Sequence, residues 1–414
     1  MRTICDFHIH SQYARATSKA MNLEGLDEWA EKKGISVISS ADFTHPVWFS
    51  ELKSKLEEAE PGLYRLRGST RATRFILTTE ISCIYSKGGA VRRIHLLLFA
   101  PSLEAVAKIN AELGWRGNLK SDGRPILGLD ALEVAKIVFA ADERCLVVPA
   151  HAWTPWFSVF GSKSGFNSLE ECFEDLTPRI YAIETGLSSD PAMNWRLSAL
   201  DNITLLSNSD SHSLPKIGRE ANVFDLDALS YDAIVEVIKT RKGFSYTVEF
   251  FPEEGKYHYD GHRLCHQRFS PVESKARNNI CPSCGKPLTI GVLNRVDELA
   301  DRKEGARPAG AVPYKSMIPL GEIIADAMGQ GTGTKQVVKE YERLVSLFTS
   351  EFQVLLDIEE QELRKIALPE VAEGIMRVRE GKVRVEPGYD GEYGVIRIFG
   401  KDEDRTSASQ GALL

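Results

Sequence analysis

Histidines and carboxylates that could bind a divalent metal recur along the first half of this 414-residue chain. His8 and His10 lie in the first apolar run, Ile4–His10. Because alternate residues of a strand share a face, this run would place Asp6 beside both imidazoles. Two imidazoles and a carboxylate on one face suit a divalent metal better than a packing surface does. The pair therefore predicts a metal site at a strand end.

The same residue types adjoin later apolar runs. They are, in chain order, Asp42, His45, Glu80, His95, His151, Asp210 and His212. Six of the nine histidines belong to this series, which surface histidines placed at random would not do. Mixed imidazole and carboxylate ligands, with one acid able to bridge, suit two or three ions of the Zn²⁺, Mn²⁺, Fe²⁺ or Mg²⁺ type. Since adjacent ions can activate a water and stabilise a leaving oxygen, the series predicts hydrolysis of a phosphoester.

Residues 1–245 alternate short apolar strands with helical stretches. The predicted strands are Ile4–His10, Ile35–Ser39, Phe75–Thr79, Ile94–Ala100, Cys145–His151, Ile180–Glu184 and Ile203–Ser207. The predicted helices are Ser18–Lys33, Asp130–Ala141, Ser168–Asp175, Pro191–Leu200 and Ala228–Arg241. This alternation predicts an α/β fold with a parallel sheet, open or closed into a barrel, and a site at the C-terminal ends of its strands.

A second set of ligands occupies residues 246–295. His262 and Cys265 form one pair with a two-residue spacer, and Cys281 and Cys284 form another. Such knuckles let four ligands reach one tetrahedral ion and leave no open position, so they predict one structural zinc. His258 or His266 could replace His262. The clustered thiols also favour a reducing cytoplasm.

The chain is mostly helical from residue 296 to residue 400. The predicted helices there are Thr334–Thr349, Glu351–Lys365 and Pro369–Glu380, with a hairpin of Lys382–Glu386 and Tyr393–Phe399. The glycine-rich segment 329–334 could hold a phosphate at a helix start, or be a plain flexible lead-in. Residues 401–414 are predicted to be a flexible tail.

Charge and hydropathy exclude some functions. No run of about 18 apolar residues occurs, so no membrane span is expected. The net charge of −7 argues mildly against nucleic acid. From Lys256 to Lys315, however, 11 Lys and Arg stand against 6 Asp and Glu. This local excess favours contact with an anionic partner.

In their order along the chain, the ligand motifs of residues 1–245 resemble those of the PHP (polymerase and histidinol phosphatase) superfamily. The resemblance implies a distorted β/α barrel with a trinuclear metal site. It implies that His8, His10, Glu80 and Asp210 hold one metal. It further implies that Glu80 bridges to a second metal held by His95 and His151, and that His212 contributes to a third.

One position departs from this superfamily. The usual Asp-His pair is Asp42-Phe43 here. His45, two residues further on, would have to supply the missing imidazole. The ligand set of the third metal therefore departs from that of the superfamily.

Longer motifs resemble the endonuclease Q family of DNA-repair nucleases, which carry a PHP domain. They are residues 41–49, 149–157, 184–188, 207–210 and 257–262, together with the Cys281/Cys284 knuckle. The resemblance implies cleavage of the phosphodiester 5′ of a deaminated base (uracil, hypoxanthine or xanthine) or of an abasic site. DNA containing damaged bases is then the expected partner, and Glu80 and Asp210 are the expected catalytic carboxylates.

Aromatic residues beside the predicted ligands could stack on a base taken out of the DNA helix. They are Trp48, Trp153, Trp156 and Phe157, each of which would also fit an ordinary core. The basic excess near the zinc ligands would contact the DNA backbone without reading its sequence. The last five residues, 410–414, resemble a sliding-clamp peptide and predict a clamp partner. We expect a cytoplasmic, nucleoid-associated protein.

Two other functions fit part of the sequence. The first is a small-molecule phosphatase that resembles the histidinol-phosphatase branch, although such an enzyme needs neither a zinc knuckle nor a helical appendage. The second is a DNA-binding PHP protein that no longer cleaves, for which Phe43 is the sole support.

Overall fold

The computed structural model describes residues 1–400, which form a sheet-rich α/β core and a mostly helical C-terminal region. The strands are β1 (Arg2–Asp6), β2 (Val37–Ser39), β3 (Leu56–Glu60), β4 (Leu63–Leu66), β5 (Arg74–Lys87), β6 (Ala90–Ala100), β7 (Ile126–Leu127), β8 (Leu146–Pro149), β9 (Ala182–Glu184), β10 (Thr204–Leu206), β11 (Ala221–Asp225), β12 (Phe244–Glu249), β13 (Asp260–His262), β14 (Gln267–Phe269), β15 (Tyr314–Ser316), β16 (Arg384–Glu386) and β17 (Val395–Arg397). The helices are α1 (Leu23–Lys33), α2 (Pro46–Lys55), α3 (Leu103–Gly114), α4 (Ala131–Ala141), α5 (Leu169–Phe173), α6 (Pro191–Asn194), α7 (Tyr231–Thr240), α8 (Pro271–Lys275), α9 (Val292–Leu299), α10 (Leu320–Met328), α11 (Lys335–Phe348), α12 (Glu351–Leu356), α13 (Glu360–Ile366) and α14 (Pro369–Arg379). The predicted α/β class and helical C-terminal region are confirmed.

The main sheet is mixed, whereas the strand–helix alternation predicts a parallel one. β1 pairs in parallel with β2, and β2 with β5. β11 pairs with β1, and β6 with both β5 and β8, in the antiparallel direction. The β5–β6 pair is antiparallel because Gly88 and Gly89, both with positive φ, join these strands in a tight turn instead of through a helix.

Two side-chain and loop contacts complete the ring of strands. β9 and β10 pair only with each other. After β8, the backbone N–H of Ala152 donates to the carbonyl of Glu184 at the end of β9, at 2.9 Å. Next to β10, the Asn222 side chain of β11 exchanges two hydrogen bonds with the backbone of Ser207, at 2.7 and 3.0 Å. The result is a β/α barrel whose hydrogen-bonded ladder is interrupted twice.

Strand β5 extends beyond its predicted end. The predicted strand Phe75–Thr79 stops before Glu80, but β5 continues to Lys87 along the whole of β6. The buried residues that follow Glu80, including Ile81 and Cys83, keep this segment in the sheet. Register places Ser82 opposite His95 and Glu80 opposite Leu97. Glu80 and His95 therefore lie on one face as diagonal neighbours.

The C-terminal helices share one apolar core with the α/β region. The ammonium of Lys33 in α1 lies 2.7 Å from the carboxylate of Glu351 in α12, and both side chains are buried. Tyr341 of α11 donates its hydroxyl to the same carboxylate at 2.8 Å. β15 also joins the main sheet in parallel with β12. The helical region is thus packed against the barrel and linked to it by a strand.

The predicted zinc module contains the β13–β14 hairpin and a small apolar cluster of its own, Phe269, Cys281 and Leu288. The buried Asp260 carboxylate accepts hydrogen bonds from the backbone N–H of Gly291 at 2.6 Å and from the hydroxyl of Ser274. The predicted C-terminal hairpin is present as the antiparallel pair β16–β17.

Within residues 1–400, no helix has the length and apolar character needed to cross a membrane. The predicted flexible tail, 401–414, and its clamp motif lie outside the described residues.

Candidate metal centre

His8 and His10 follow the first strand instead of belonging to it. β1 ends at Asp6, and the chain beyond it is held by a hydrogen bond from the His10 N–H to the carbonyl of Ser211, at 2.9 Å. The Asp6 carboxylate accepts the N–H of Ser209 at 3.1 Å and that of Gly218 at 3.0 Å. The shared strand face predicted for Asp6 and the histidines is therefore wrong, and Asp6 instead fixes the loop that carries Asp210.

Four side chains form the first metal-capable group: His8, His10, Glu80 and Asp210. The Nε2 atom of His10 lies 3.2 Å from Glu80 Oε2 and 3.0 Å from Asp210 Oδ1. The Nε2 atom of His8 lies 3.5 and 3.7 Å from the same two oxygens. Ligands bound at about 2.0–2.2 Å around one ion are separated by distances of this size.

The second group is made by Glu80, His95 and His151. Glu80 Oε1 lies 2.6 Å from His95 Nδ1 and 3.0 Å from His151 Nε2. Glu80 thus turns one oxygen to each group, which is the arrangement of a bridging carboxylate. Its position in the middle of β5, next to His95 on β6, provides this geometry.

Three buried atoms of the first group lie close to one another but make no bond of hydrogen-bond geometry among residues 1–400. They are His8 Nε2, His10 Nε2 and Asp210 Oδ1. Because buried polar atoms without partners are costly, they need an explanation. A divalent cation coordinated by all three satisfies them, so the donor set fits a metal ion.

A second layer of carboxylates orients the imidazoles. Glu184 lies 3.0 Å from His8 Nδ1 and also accepts the backbone N–H of His151 at 2.7 Å. Asp42 lies 3.1 Å from His10 Nδ1 and accepts the N–H and hydroxyl of Ser11. Once an ion is bound, a proton on each Nδ1 would leave each Nε2 with a lone pair directed at the ion.

The electrostatics keep the ligand carboxylates ionised. Burial raises the pKa of Glu80, but the His95 imidazole and the Arg124 guanidinium outweigh it and hold that pKa well below its usual value. Burial opposes ionisation of Asp210 too, yet His8 and His10 lower its pKa strongly.

Three predicted ligands lie outside both groups. Asp42 supports His10, as described above. The Nδ1 atom of His45 accepts the N–H of Trp48 at the start of α2, and its ring stacks on Tyr13 at 4.5 Å between centroids. The ring of His212 lies 4.4 Å from that of His10, and its Nδ1 lies 3.0 Å from the carbonyl oxygen of Asp210. Among residues 1–400, Asp42, His45 and His212 belong to no metal-capable group.

Two of the four predicted base-stacking residues are core residues instead. Trp48 is fully buried, and its indole N–H donates to the carbonyls of Ser40 and Ala41. Trp153 is equally buried and donates to Asn194 Oδ1 at 2.8 Å. With both faces covered by protein, neither ring can receive a base.

The other two aromatic residues remain accessible beside the second group. Trp156 and Phe157 are half-buried. The Phe157 ring lies 4.8 Å from the His95 ring, and the Trp156 ring meets Tyr257 edge-on at 5.5 Å. Phe157 also has a φ of +64°, a strained conformation for an aromatic residue. These positions keep both residues as candidates for stacking on a base.

Sequence reasoning missed Arg124 and the role of Glu184. The Nη1 atom of Arg124 donates to Glu80 Oε2 at 3.0 Å. The nearby carboxylate of Glu80 raises the pKa of Arg124 further. Neither residue belongs to a recognisable ligand spacing, although Glu184 ends a predicted strand as several ligands do. That strand-end position, and the resemblance of residues 184–188 to endonuclease Q, were the available signals for Glu184.

The four predicted zinc ligands, His262, Cys265, Cys281 and Cys284, form a third group. Cys284 Sγ lies 3.4 Å from His262 Nδ1. Burial would raise the pKa of Cys281, but backbone N–H groups of the Cys281–Cys284 turn lower it to about 7, which favours the thiolate. His258 instead is buried outside this group, so the structure selects His262 over it.

Comparison with other proteins finds a relative that spans nearly the whole chain and another that matches part of it. The uncharacterized protein YqxK of Bacillus subtilis is 30% identical over 410 residues, covering 95% of this chain and 98% of YqxK. The uncharacterized protein MJ0043 of Methanocaldococcus jannaschii is 36% identical over 254 residues, which cover 59% of this chain but only 31% of MJ0043. The chain thus matches less than a third of that relative's length. A family model described as the MJ0043 C-terminal domain matches residues 319–382.

Two crystal structures share the fold along nearly the whole chain. One is the lesion-specific endonuclease PfuEndoQ from Pyrococcus furiosus, with a TM-score of 0.86, 31% identity, and coverage of 99% of this chain and 98% of the other. The second is endonuclease Q in complex with a 27-mer duplex substrate that has an abasic lesion at the active site. Its TM-score is 0.86 and its identity 32%, with both chains covered completely. The likeness therefore includes the zinc module and the helical region.

Proposed function

The chain belongs to the endonuclease Q family, and we propose that it is a metal-dependent DNA-repair endonuclease. The observation that carries the proposal is the pair of metal-capable groups joined by Glu80, with three buried ligand atoms left without ordinary partners. The whole-length likeness to an endonuclease bound to abasic DNA supports DNA as the substrate.

The proposed reaction is hydrolysis of a phosphodiester. His8, His10, Glu80 and Asp210 would hold one ion, and Glu80, His95 and His151 a second. Divalent ions bound there would activate a water and stabilise the charge of the phosphate and its leaving oxygen. Glu80 and Asp210 are anionic at neutral pH because the neighbouring imidazoles, and at Glu80 also the Arg124 guanidinium, lower their pKa. Glu184 and Asp42 hold the His8 and His10 rings in place without touching substrate.

We propose cleavage 5′ of the lesion, with abasic sites and the deaminated bases uracil, hypoxanthine and xanthine as targets. Reading such a base requires taking it out of the helix. The half-buried rings of Trp156 and Phe157, beside the second group, offer a surface on which it could stack. Exposed Lys120 lies near His45, and exposed Arg15 lies on a loop held to Asp122; both side chains would contact the DNA backbone.

We further propose one structural zinc on His262, Cys265, Cys281 and Cys284. Four ligands at two knuckles leave no position for a water or substrate. The Cys281 pKa of about 7 favours the thiolate that zinc requires. The clustered thiols favour a cytoplasmic location. Action on chromosomal DNA would add association with the nucleoid.

The decisive experiment uses end-labelled duplexes that carry uracil, hypoxanthine, an abasic site or no lesion, incubated with the protein and Mg²⁺ or Mn²⁺. We expect a single cut immediately 5′ of each lesion and an intact undamaged duplex. Cleavage of no duplex, together with phosphate release from histidinol phosphate, would contradict the proposal and support a small-molecule phosphatase. Lesion binding without cleavage under any divalent metal would support the non-cleaving alternative.

A further inference from the structure

Arg124 contacts the shared carboxylate of the metal centre but belongs to neither metal-capable group. Its Nη1 atom donates to Glu80 Oε2 at 3.0 Å, the same oxygen that faces His8 and His10. The Arg124 side chain is 28% exposed, whereas that of Glu80 is fully buried. The guanidinium therefore reaches inward from the open side of the site.

Most of the donors of this guanidinium are unused. Glu80 is the one side chain or carbonyl among residues 1–400 to which the Arg124 side chain donates a hydrogen bond. The planar group has five N–H donors arranged as a fork, which matches the oxygens of a phosphate. Since the side chain is partly exposed, the remaining donors are open to a ligand from solvent.

The backbone that carries Arg124 is fixed on both sides. Asp122 Oδ1 accepts the N–H of Arg124 at 3.1 Å. The carbonyl of Pro125 accepts the N–H of Ser82, two residues from Glu80 in β5, also at 3.1 Å. Gly123 packs so closely against the Asp42 carboxylate that a Cβ atom there would overlap it. The backbone around Arg124 is thus held by β5, which carries Glu80, and packs against Asp42, which supports His10.

We propose that Arg124 is a catalytic residue that binds the scissile phosphate and stabilises the negative charge that develops on it. The inference rests on the proposed endonuclease function. A metal ion bound by Glu80 would compete with the Arg124 guanidinium for Oε2. The phosphate of a bound DNA strand would then offer the guanidinium another anion to pair with. A preorganised donor contributes most where charge increases in the transition state. Arginine, as a planar fork, fills this role better than lysine.

The test compares Arg124→Ala and Arg124→Lys with wild type on a duplex containing one abasic site. The matched control is Arg116→Ala, an exposed arginine of the same loop that pairs with Glu112 at 2.7 Å. We expect Arg124→Ala to reduce the single-turnover rate at saturating protein by about 10²–10³-fold. Metal content and melting temperature should remain those of wild type. Arg124→Lys should recover part of the rate, and the control should cleave normally.

Two further readouts separate a role on the phosphate from a role in holding Glu80. Millimolar guanidine hydrochloride should restore part of the rate of Arg124→Ala but none of that of Asp210→Asn. Loss of bound metal in Arg124→Ala without such rescue would show that Arg124 only positions Glu80, and would overturn the inference. A wild-type rate in Arg124→Ala would overturn it while leaving the endonuclease function intact. An inactive wild-type protein would overturn both.

Discussion

The two kinds of metal-capable site in this chain are assembled over very different lengths of sequence. The six ligands of the metal centre span residues 8–210 and lie on or after five different strands, and all but the half-buried Asp210 are buried. The four ligands of the zinc module span residues 262–284 and include the exposed Cys284. The first site is enclosed by the barrel core, whereas the second has an apolar cluster of only three buried residues.

This difference indicates which of the two sites needs its metal ion in order to fold. In the metal centre, carboxylates such as Glu184 and Asp42 hold the imidazoles by hydrogen bonds that need no ion. A module with so small a core must instead gain much of its folding free energy from the ion. We therefore expect loss of metal to abolish chemistry in the first site and folding in the second.

The largest effect is expected from Asp210→Asn. This change removes a ligand charge, so cleavage should fall by about a thousandfold or more, because metal ions contribute several kcal/mol to the transition state. Melting temperature and DNA binding should change little, since the barrel core is untouched. The measurement is single-turnover cleavage, with the exposed Asp227→Asn as control. An active Asp210→Asn protein would refute the ligand assignment.

Glu184→Gln tests the second layer of the metal centre. The amide keeps the shape of the side chain but loses the charge that fixes the His8 tautomer and its orientation. Metal affinity or activity should fall by about 10–100-fold. The check is a metal titration of cleavage, with the exposed Glu236→Gln beside it. An unchanged metal requirement would show that Glu184 has no role in orienting His8.

Cys281→Ser should act on structure in the other region. We expect the protein to lose one equivalent of zinc and the module to lose its hydrogen-exchange protection, while the barrel keeps its own. DNA affinity should weaken by about tenfold, or about 1.4 kcal/mol. Ser283→Ala, between the two cysteines, is the matched control. Full zinc content and unchanged protection in Cys281→Ser would contradict the contrast drawn between the two sites.

The smallest effect is expected at Glu249, a buried acid at the end of β12. Burial raises the pKa of Glu249 to about 8, although Thr247 and Thr185 donate hydrogen bonds to it. Because this folded pKa exceeds the ordinary 4.5, the stabilisation is complete below pH 4.5 and is lost as the pH rises through 8. Glu249→Gln should remove this dependence of stability on pH.

Thermal melts of wild type and Glu249→Gln between pH 5 and pH 8 measure the difference. The wild-type melting temperature should fall more steeply with pH than that of the variant. Parallel curves would mean that Glu249 is already ionised in the folded protein.

The sequence predicted the chemistry of the metal centre better than its geometry. Strand-end spacing was enough to name all six side chains that the structure brings together, because catalytic residues collect at one end of a barrel. The sequence did not show that Glu80 lies inside β5, because an acidic residue interrupts the apolar run there. Pairing with β6 carries the strand past Glu80.

The errors have a common physical cause, which is that spacing does not give the direction of a side chain outside regular structure. His45 lies beside the ligands in sequence, yet its ring turns to the start of α2. Trp153 follows His151 by two residues, yet its N–H finds a buried partner in Asn194. Arg124 reaches Glu80 from a loop that carries no ligand motif at all.

The most direct test of the account is anomalous diffraction from crystals of the protein soaked in Mn²⁺. We predict two manganese peaks that share Glu80, one against its Oε2 with His8, His10 and Asp210, and one against its Oε1 with His95 and His151. A protein that cleaves lesion-containing DNA while its manganese binds away from Glu80, or at a single position that Glu80 does not bridge, would contradict the central claim.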